Sequence, residues 1–433
     1  MRLLLLVCIV SICSFASAQD SYFPPISGSE WEQTDPEELG WCQDNIDSLY
    51  SFLEQNNSKS FLLLKDGKIV LEQYFNGHAA NTPWYWASAG KGITAFVVGI
   101  AEQEGHLSLT DSSADYLGQG WTSLTAEQEA AITVWHQLTM TSGLDDLTGD
   151  PHCTDPACLL YKAAAGDRWA YHNGPYTSLD GVIDGATGLS LNAYTTTKLK
   201  QATGMSGSFI GVDFNNVFYS IARSMARFGL LMLAEGSWDG GEPLVDADYF
   251  QQMTTPSQEL NPSYGYLWWL NGRDQYMLPS VDVQLPGPLF ANAPSDAYMA
   301  LGKNGQFLNI VPSEGLVWLR MGDFPEDSPV PHLLNDDIWK LINELQCQPV
   351  ATADLAAADL QVFPNPTHDV VQLSSAQTIA HVEVRSMAGS LVTRLTSGHP
   401  QDVISMDAFP AGVYLFRTTL ADGQVITERV VKQ

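Results

Sequence analysis

The sequence predicts a mixed α/β (α+β) domain built on an antiparallel sheet with a helical subdomain, followed by a small C-terminal β-sandwich. Strand-like apolar runs stand near both ends of the first 347 residues, helix-like patterns lie between them, and short alternating strands follow after a change in composition. Because an apolar sheet face must be covered by another element, strands at both ends with helices between them favour one sheet that the two termini complete.

Strands are predicted at both ends of the first region. Residues 61–74 form two apolar runs around Asp66-Gly67, a strong hairpin signal. Residues 306–312 and 315–320 form a second pair of apolar runs joined by a short turn. We expect these four strands to belong to the same sheet.

Three stretches between the strands have helical periodicity. Apolar side chains recur three and four positions apart over residues 89–105, and Ser88 stands at the start of this helix. Further helices are predicted near residues 127–140 and over residues 220–235. A helix that contains Leu179 and Val182 is predicted after a loop.

Residues 1–18 have the features of a secretory signal peptide. Arg2 precedes an apolar run at residues 3–10, and Ala16-Ser17-Ala18 provides small residues for cleavage. A transmembrane helix is the alternative, but the run is short for a bilayer span. We expect a chain that is exported, is secreted or stands at the cell surface, and has no integral membrane segment after cleavage.

Four cysteines follow this segment: Cys42, Cys153, Cys158 and Cys347. An even number in an exported chain favours disulfides, and three pairings are possible. We favour Cys153 with Cys158, which are close in sequence, and Cys42 with Cys347, which would join the two ends of one domain. A metal site that adds His152 to the short pair is the alternative; no second cluster completes it, so no metal is expected.

The charge and length limit the possible functions. The chain has 49 acidic and 20 basic residues and a net charge of −29, which argues against a partner that presents nucleic-acid phosphates. Its 433 residues favour two domains. We place the first at residues 19–347, a linker at 348–358 and the second domain at 359–433.

The candidate nucleophile is Ser88, in the sequence Ser-Ala-Gly-Lys. A serine hydroxyl needs a base within hydrogen-bonding reach, and one helical turn separates Ser88 from Lys91. The positive end of the helix favours a developing oxyanion, and a lysine desolvated among Trp84, Trp86 and other apolar groups can lose its proton. The alternative is a capping serine followed by a surface lysine.

A second motif supports the catalytic interpretation. Tyr171-His-Asn173 follows some eighty residues later, and a phenol can carry a proton between nucleophile and leaving group if a cation lowers its pKa. The amide of Asn173 can position the lysine and the substrate. The same pattern at Tyr74 ends the early hairpin and is interpreted as a strand end. His172 is expected to be structural.

The chain resembles the serine beta-lactamase-like hydrolases, which have the beta-lactamase/transpeptidase-like fold. This group includes class C beta-lactamases, D-alanyl-D-alanine carboxypeptidases, esterases and 6-aminohexanoate-oligomer hydrolases. The resemblance spans most of residues 30–345 and rests on residues 65–68, 88–91, 105–111, 132–143, 171–173, 226–229 and 302–306.

The resemblance implies an acyl-enzyme mechanism without a cofactor. Ser88 would be the nucleophile, Lys91 and Tyr171 the proton-handling pair, and Asn173 a substrate-binding amide. The backbone N–H groups of Ser88 and of Lys303, the residue after Gly302, would form the oxyanion hole.

One departure from the family pattern bears on the substrate. Beta-lactamases and carboxypeptidases usually have Lys or His and then Thr or Ser before the glycine, whereas this chain has Ala300-Leu301. The substrate is therefore expected to be a small ester or amide. Carboxypeptidase or beta-lactamase activity and a non-catalytic penicillin-binding-like module are the alternatives. Trp84, Trp268 and Trp269 are candidates for an apolar acyl pocket, with core packing as the alternative.

The tail resembles the C-terminal sorting domain of type IX secretion substrates. This resemblance rests on residues 360–367, 382–389, 409–417 and 429–433, which are alternating strands broken by Pro and Gly turns. It implies that the type IX secretion machinery is a partner. A carbohydrate-binding module and a structural adhesin are the alternatives.

Overall fold

The computed structural model describes residues 21–147, 149–324, 330–347, 360–387 and 390–433. The predicted signal peptide and the predicted linker at 348–358 lie outside these residues. The chain divides into two compact units, Met1–Cys347 and Gln348–Gln433, and each is considered by itself.

The described part of the first unit contains both α-helices and β-strands. The helices are α1 (Gln43–Gln55), α2 (Lys91–Gln103), α3 (Ala114–Leu117), α4 (Ala126–Ala130), α5 (Val134–Leu138), α6 (Asn173–Thr177), α7 (Leu179–Thr187), α8 (Leu191–Thr195), α9 (Gln201–Thr203), α10 (Ala222–Leu233), α11 (Ala247–Met253) and α12 (His332–Asn343). The strands are β1 (Ser58–Lys65), β2 (Lys68–Tyr74), β3 (Trp84–Tyr85), β4 (Ser208–Val212), β5 (Asn215–Ser220), β6 (Trp269–Leu270), β7 (Gln275–Tyr276), β8 (Leu285–Pro286), β9 (Tyr298–Gly302), β10 (Gln306–Val311) and β11 (Leu316–Gly322).

A six-stranded antiparallel sheet forms the centre of this unit, in the order β2-β1-β11-β10-β9-β6. Strand β1 from the start of the unit pairs with β11 from its end, with Leu63 opposite Trp318. The two termini therefore complete one sheet, as the sequence predicts. A smaller sheet, β3-β5-β4, lies close to the start of α2.

Helices cover both faces of the central sheet. Successive residues of a strand point to opposite faces, so two neighbours on β11 show which helix covers each face. The ring of Trp318 meets Trp339 of α12, with the centroids 5.5 Å apart. The neighbouring Val317 packs under Gly229 of α10, where an added Cβ would lie only 2.5 Å from the valine Cγ1. The buried core of the first unit therefore extends through the sheet from α10 to α12.

The hairpin prediction is confirmed and one helix prediction is wrong. Asp66 and Gly67 both have positive φ, 50° and 83°, as the tight turn between β1 and β2 requires. The helix predicted near residues 127–140 is two short helices, α4 and α5. Thr133 adopts an extended conformation and its side chain accepts a hydrogen bond from the backbone N–H of His136, which starts a new helix.

The second unit is built from strands. These are β12 (Gln361–Phe363), β13 (Val370–Ser374), β14 (Ile379–Ser386), β15 (Leu391–Thr396), β16 (Gln401–Ser405), β17 (Gly412–Leu420) and β18 (Val425–Lys432). They form the sheets β12-β13-β16 and β15-β14-β17-β18, and side chains from both sheets share one apolar core. This arrangement agrees with the predicted β-sandwich.

The described residues include neither a membrane-spanning helix nor a cluster of metal-ligand side chains. None of the helices there has the length and apolar character of a membrane span. No group of three or more His, Cys, Asp or Glu side chains in that part of the chain is arranged to hold a metal ion.

Both favoured disulfides are present. Cys42 is bonded to Cys347 and Cys153 to Cys158, with sequence separations of 305 and 5 residues. The first bond joins the start of α1 to the segment after α12, and these two helices contact each other. It therefore closes a loop that contains nearly the whole first unit.

Loss of the Cys42–Cys347 bond should reduce the stability of the first unit more than loss of the short-range bond. Cross-linking restricts the unfolded chain more strongly for a longer loop, so we expect the Cys42→Ser/Cys347→Ser variant to lose about 5 kcal/mol and Cys153→Ser/Cys158→Ser about 2 kcal/mol in free energy of unfolding. All 12 tryptophans precede residue 348, so tryptophan fluorescence in urea reports on this unit. Equal losses in the two variants would contradict the chain-entropy argument.

Candidate active site

Ser88 lies in a 3₁₀ turn, Ala87–Gly90, that leads directly into α2. The residue before it, Ala87, has a φ of 46°, a left-handed conformation that is unfavourable for a residue with a Cβ. This turn presents the Ser88 side chain to a cavity at the positive end of α2.

Lys91 is the first residue of α2 and its side chain is 4% exposed. Its Nζ lies 3.1 Å from Oγ of Ser88, a hydrogen-bonding distance. The ring centroids of Tyr176 and Tyr171 lie 4.1 and 5.2 Å from the same Nζ. Burial lowers the pKa of Lys91 from 10.5 to about 7, because the charged form is poorly solvated there. Lys91 is therefore desolvated by aromatic side chains, as predicted, but its Nζ contacts tyrosines instead of Trp84 and Trp86.

Tyr171 completes the group around Ser88. Its phenol lies beside the Ser88 side chain and interacts with it, and its ring stacks on Trp269 with the centroids 5.8 Å apart. Burial raises the pKa of Tyr171 above its usual value, so the phenol keeps its proton. The expectation that a neighbouring cation lowers this pKa is therefore wrong, because desolvation is the larger effect.

Asn173 begins α6 and lines the same cavity. Its Nδ2 lies 3.0 Å from Nδ1 of His152, and that nitrogen is also 3.0 Å from Oδ1 of Asn215. His152 directly precedes Cys153. Because Cys153 and Cys158 form a disulfide, their sulfur atoms do not form a metal site with His152. The neighbouring His172 is buried, and burial lowers its pKa to about 4, which fits a packing role.

Gly302, at the end of β9, lies against the turn that contains Ser88. A Cβ added there would be 2.5 Å from the carbonyl oxygen of Trp86 and 3.1 Å from the backbone nitrogen of Ser88. The side chain of the next residue, Lys303, lines the cavity beside Ser88. Both residues implied by the family pattern are therefore close to the nucleophile, and only glycine fits at position 302.

A buried arginine holds the turn after Gly302 in place. Arg320 on β11 is fully buried, and its guanidinium donates to the carbonyls of Asn304 and Gly305 at 3.1 and 2.7 Å. The side-chain amide of Gln306 donates to the carbonyl of Lys303 at 3.1 Å. These bonds determine the orientation of successive peptide groups beside Ser88.

Two adjoining cavities open at Ser88. One has a volume of about 340 Å³ and the other about 290 Å³, and both are lined by Ser88, Asn173, Lys303 and His152. Tyr171 lines the smaller cavity and Lys91 the larger one. Five predicted site residues thus border these cavities, and Gly302 packs behind the nucleophile.

Sequence reasoning did not find several residues of the larger cavity. They are Tyr85, Tyr176, Asn215, Asn216, Tyr219 and Asn304, while His152 was considered only as a metal ligand. Asn304 lies within the motif at residues 302–306, and Tyr176 follows Asn173 by three residues. These positions are a signal that could identify both residues. The residues of β5 have no such signal.

The three candidate tryptophans have different environments. Trp269 lines an apolar cavity of about 300 Å³ next to the site. Trp268 is fully buried in the core and packs against Phe228. Trp84 stacks on Tyr85, so only Trp269 is placed to contact a ligand in that cavity.

The beta-lactamase family model matches residues 54–323, more than half of the chain. The chain belongs to the beta-lactamase family. A second model, the secretion system C-terminal sorting domain, matches residues 361–433. In this beta-lactamase family member, a sorting domain therefore follows the beta-lactamase domain. Among proteins with curated descriptions, none matches the sequence.

Several solved structures share the fold of the first unit. A protein assigned as a beta-lactamase from Bacteroides dorei has 14% identity and a TM-score of 0.56, and the alignment covers 71% of this chain and all of that one. A protein assigned as a 6-aminohexanoate-dimer hydrolase from Bacillus anthracis has 18% identity and a TM-score of 0.55, with coverage of 76% and 91%. A family VIII carboxylesterase has 15% identity and a TM-score of 0.52, with coverage of 71% and 99%.

Substitution of Gly302 should reduce the reactivity of Ser88. In Gly302→Ala the new Cβ forces the backbone away from residues 86–89, and a misplacement of about 1 Å costs roughly 100-fold in rate. We expect covalent labelling by a fluorophosphonate probe to slow by about that factor. Gly211→Ala is the control, since an added Cβ there meets nothing within 4 Å. Similar labelling rates in the two variants would contradict the role assigned to this close approach.

Proposed function

We propose that this protein is a secreted serine hydrolase that cleaves an ester or amide bond through an acyl-enzyme on Ser88. The observation that carries the proposal is the contact between Nζ of the buried Lys91 and Oγ of Ser88 at 3.1 Å, with the Tyr171 phenol beside the same serine. A serine so placed has a base within reach and an acid beside it, as covalent catalysis requires.

The first half of the reaction forms the acyl-enzyme. Neutral Lys91 accepts the proton of the Ser88 hydroxyl while Oγ attacks the carbonyl carbon. The oxyanion that forms accepts hydrogen bonds from the backbone N–H groups of Ser88 and Lys303. Tyr171 then gives its proton to the leaving oxygen or nitrogen as that bond breaks, and it takes the proton held by Lys91.

The second half releases the acid and restores the site. A water molecule gives a proton to Lys91 as its oxygen attacks the acyl carbon, and the oxyanion is stabilised by the same N–H groups. The bond to Ser88 breaks and the serine oxygen recovers a proton through Tyr171 and Lys91. Asn173 lines the cavity at a position where its amide can hold the substrate, so it acts in binding.

We propose that the C-terminal unit directs the protein to the type IX secretion machinery. The match of residues 361–433 to the sorting domain supports this, and the signal-like segment at residues 1–18 would serve the earlier step into the periplasm. The protein would then act outside the cell or at its surface. The two disulfides agree with an oxidising environment.

Hydrolysis should depend on Ser88 and Tyr171. We expect Ser88→Ala to lower the release of p-nitrophenol from p-nitrophenyl acetate by at least about 1,000-fold. Tyr171→Phe should also reduce the rate strongly, because the variant has no proton to give to the leaving group. Tyr74→Phe is the matched control, since Tyr74 belongs to the other Tyr-x-Asn sequence and bonds with Glu72. Equal rates for wild type and Ser88→Ala would end the proposal.

The pH profile should report the ionisation of Lys91. The pKa of this amine is lowered to about 7, and only the deprotonated form can accept the serine proton, so kcat/KM should rise as pH increases through about 7 and then level off. Two other groups near the cavity need controls. Burial raises the pKa of Asp180 to about 7, and its carboxylate accepts a hydrogen bond from Asn216; His152 contacts Asn173.

The variants Asp180→Asn and His152→Gln separate these groups from Lys91. Both should keep the rising limb near pH 7 even if the maximal rate falls. Disappearance of the limb in either variant would assign it to the substituted residue and contradict the role of Lys91 as base.

A further inference from the structure

The two sides of the cleft at Ser88 differ in polarity. On one side, the larger cavity is lined by Asn215, Asn216 and Asn304, by tyrosine and histidine side chains, and by two valines and an alanine. On the other side, the cavity of about 300 Å³ is lined mainly by apolar groups, among them Trp269 and Leu301. A substrate that spans Ser88 would therefore meet hydrogen-bonding groups at one end and an apolar surface at the other.

The apolar cavity adjoins the smaller cavity at Ser88. Pro279, Ser280 and Val330 line it, and the same three residues line the smaller cavity that contains Ser88 and Tyr171. A ligand bound at Ser88 can thus extend past these residues into the apolar cavity. The position of the cavity makes it part of the substrate cleft.

Tyr171 indicates which part of a substrate faces this side. Its ring stacks on Trp269, and Trp269 is a wall of the apolar cavity. In the mechanism proposed above, Tyr171 gives its proton to the leaving atom, so the leaving group must lie next to Tyr171. The acyl group then extends toward the cavity lined by the asparagines.

An ion pair connects the outer wall of the apolar cavity to Arg168. Val281 belongs to this wall, and the next residue, Asp282, forms an ion pair with Arg168 at 2.8 Å. Arg168 also pairs with Asp146 at 2.7 Å. These contacts tie the loop that contains Val281 to Arg168.

The position where many relatives place a hydroxyl before the glycine is occupied here by Leu301. This side chain is 3% exposed and lines the apolar cavity, while Ala300 before it is also buried. Ser280 and His332 are the polar members of its described lining. A carboxylate that entered next to Leu301 would lose solvation against an apolar wall, which is unfavourable.

We propose that this apolar cavity is the leaving-group subsite, and that the enzyme prefers esters or amides of an apolar alcohol or amine with a polar acyl group. The inference rests on the proposed acyl transfer at Ser88 and deepens it. Since an apolar cavity of about 150 Å³ holds one benzene ring, about twice that volume accommodates a substituted aromatic ring or an alkyl chain of several carbons.

The test compares n-alkyl acetates from ethyl to hexyl, whose alcohols differ little in intrinsic reactivity. We expect kcat/KM to rise roughly fourfold for each added methylene until the cavity is filled, the value for burial of one CH₂ group. Lengthening the acyl chain instead, from ethyl acetate to ethyl hexanoate, should give no such gain. A gain on the acyl side that equals or exceeds the gain on the alcohol side would overturn the proposed orientation.

Variants of the cavity wall provide the second arm. Val281→Asn and, independently, Leu278→Asn should flatten the dependence on alcohol length, because each puts a polar amide into the wall that the longer alcohols would contact. Val283→Asn is the matched control. This residue lies in the same loop, is 60% exposed and is not among the lining residues, so its profile should equal that of wild type.

The outcomes separate the subsite from the proposed function. If Ser88-dependent hydrolysis occurs but does not depend on alcohol length, or if both wall variants keep the full dependence, the subsite is wrong and the hydrolase function stands. If neither these esters nor the matching N-alkyl acetamides are hydrolysed in a Ser88-dependent way, the proposed function itself fails, and the subsite falls with it.

Discussion

The chemistry proposed for this protein depends on the desolvation of one amine, that of Lys91. Lys91 is enclosed by Tyr171, Tyr176 and the start of α2, so its pKa falls from 10.5 to about 7. This change corresponds to roughly 5 kcal/mol of lost preference for the ammonium form. Between these pH values the unfolded chain binds a proton that the folded chain has released, so burial of Lys91 opposes folding there. The surrounding core must offset this cost.

The turn after Gly302, which lies beside Ser88, depends on a second buried cation, Arg320. Arg320 is fully buried, and burial lowers its pKa to about 9, yet it retains hydrogen bonds to four backbone carbonyls and to Ser58. These acceptors lie at the ends of β-strands and in the turn after Gly302. Arg320 thus connects the central sheet to the turn beside Ser88, and apolar packing alone would not orient those peptide groups.

Local patterns in the sequence predict the elements that carry the catalytic group. The Asp66-Gly67 turn predicts the hairpin, and the apolar spacing after Ser88 predicts α2, because both depend on neighbouring residues. The break between α4 and α5 was missed, since capping by Thr133 outweighs the apolar periodicity.

The surroundings of the catalytic group are harder to predict because they come from distant parts of the chain. Asn215 and Asn216 reach the cavity only because β5 pairs with β3, which precedes the Ser88 turn. The direction of the Tyr171 pKa shift likewise depends on its burial against Trp269. A pattern of residue types shows neither that β5 pairs with β3 nor that Tyr171 is buried against Trp269. The sequence therefore predicts the candidate catalytic residues better than their environment.

Three titratable groups in or beside the site shift toward their neutral forms. Burial lowers the pKa of Lys91 and raises those of Tyr171 and Asp180, so the buried part of the cleft has little charge before reaction. A neutral ester loses little solvation on entering such a site. In the proposed mechanism, charge first appears when the oxyanion and the lysine ammonium form. The backbone N–H groups and the α2 dipole would then act more strongly than on the bound substrate. Burial of an uncharged acid and base therefore favours the transition state over the ground state.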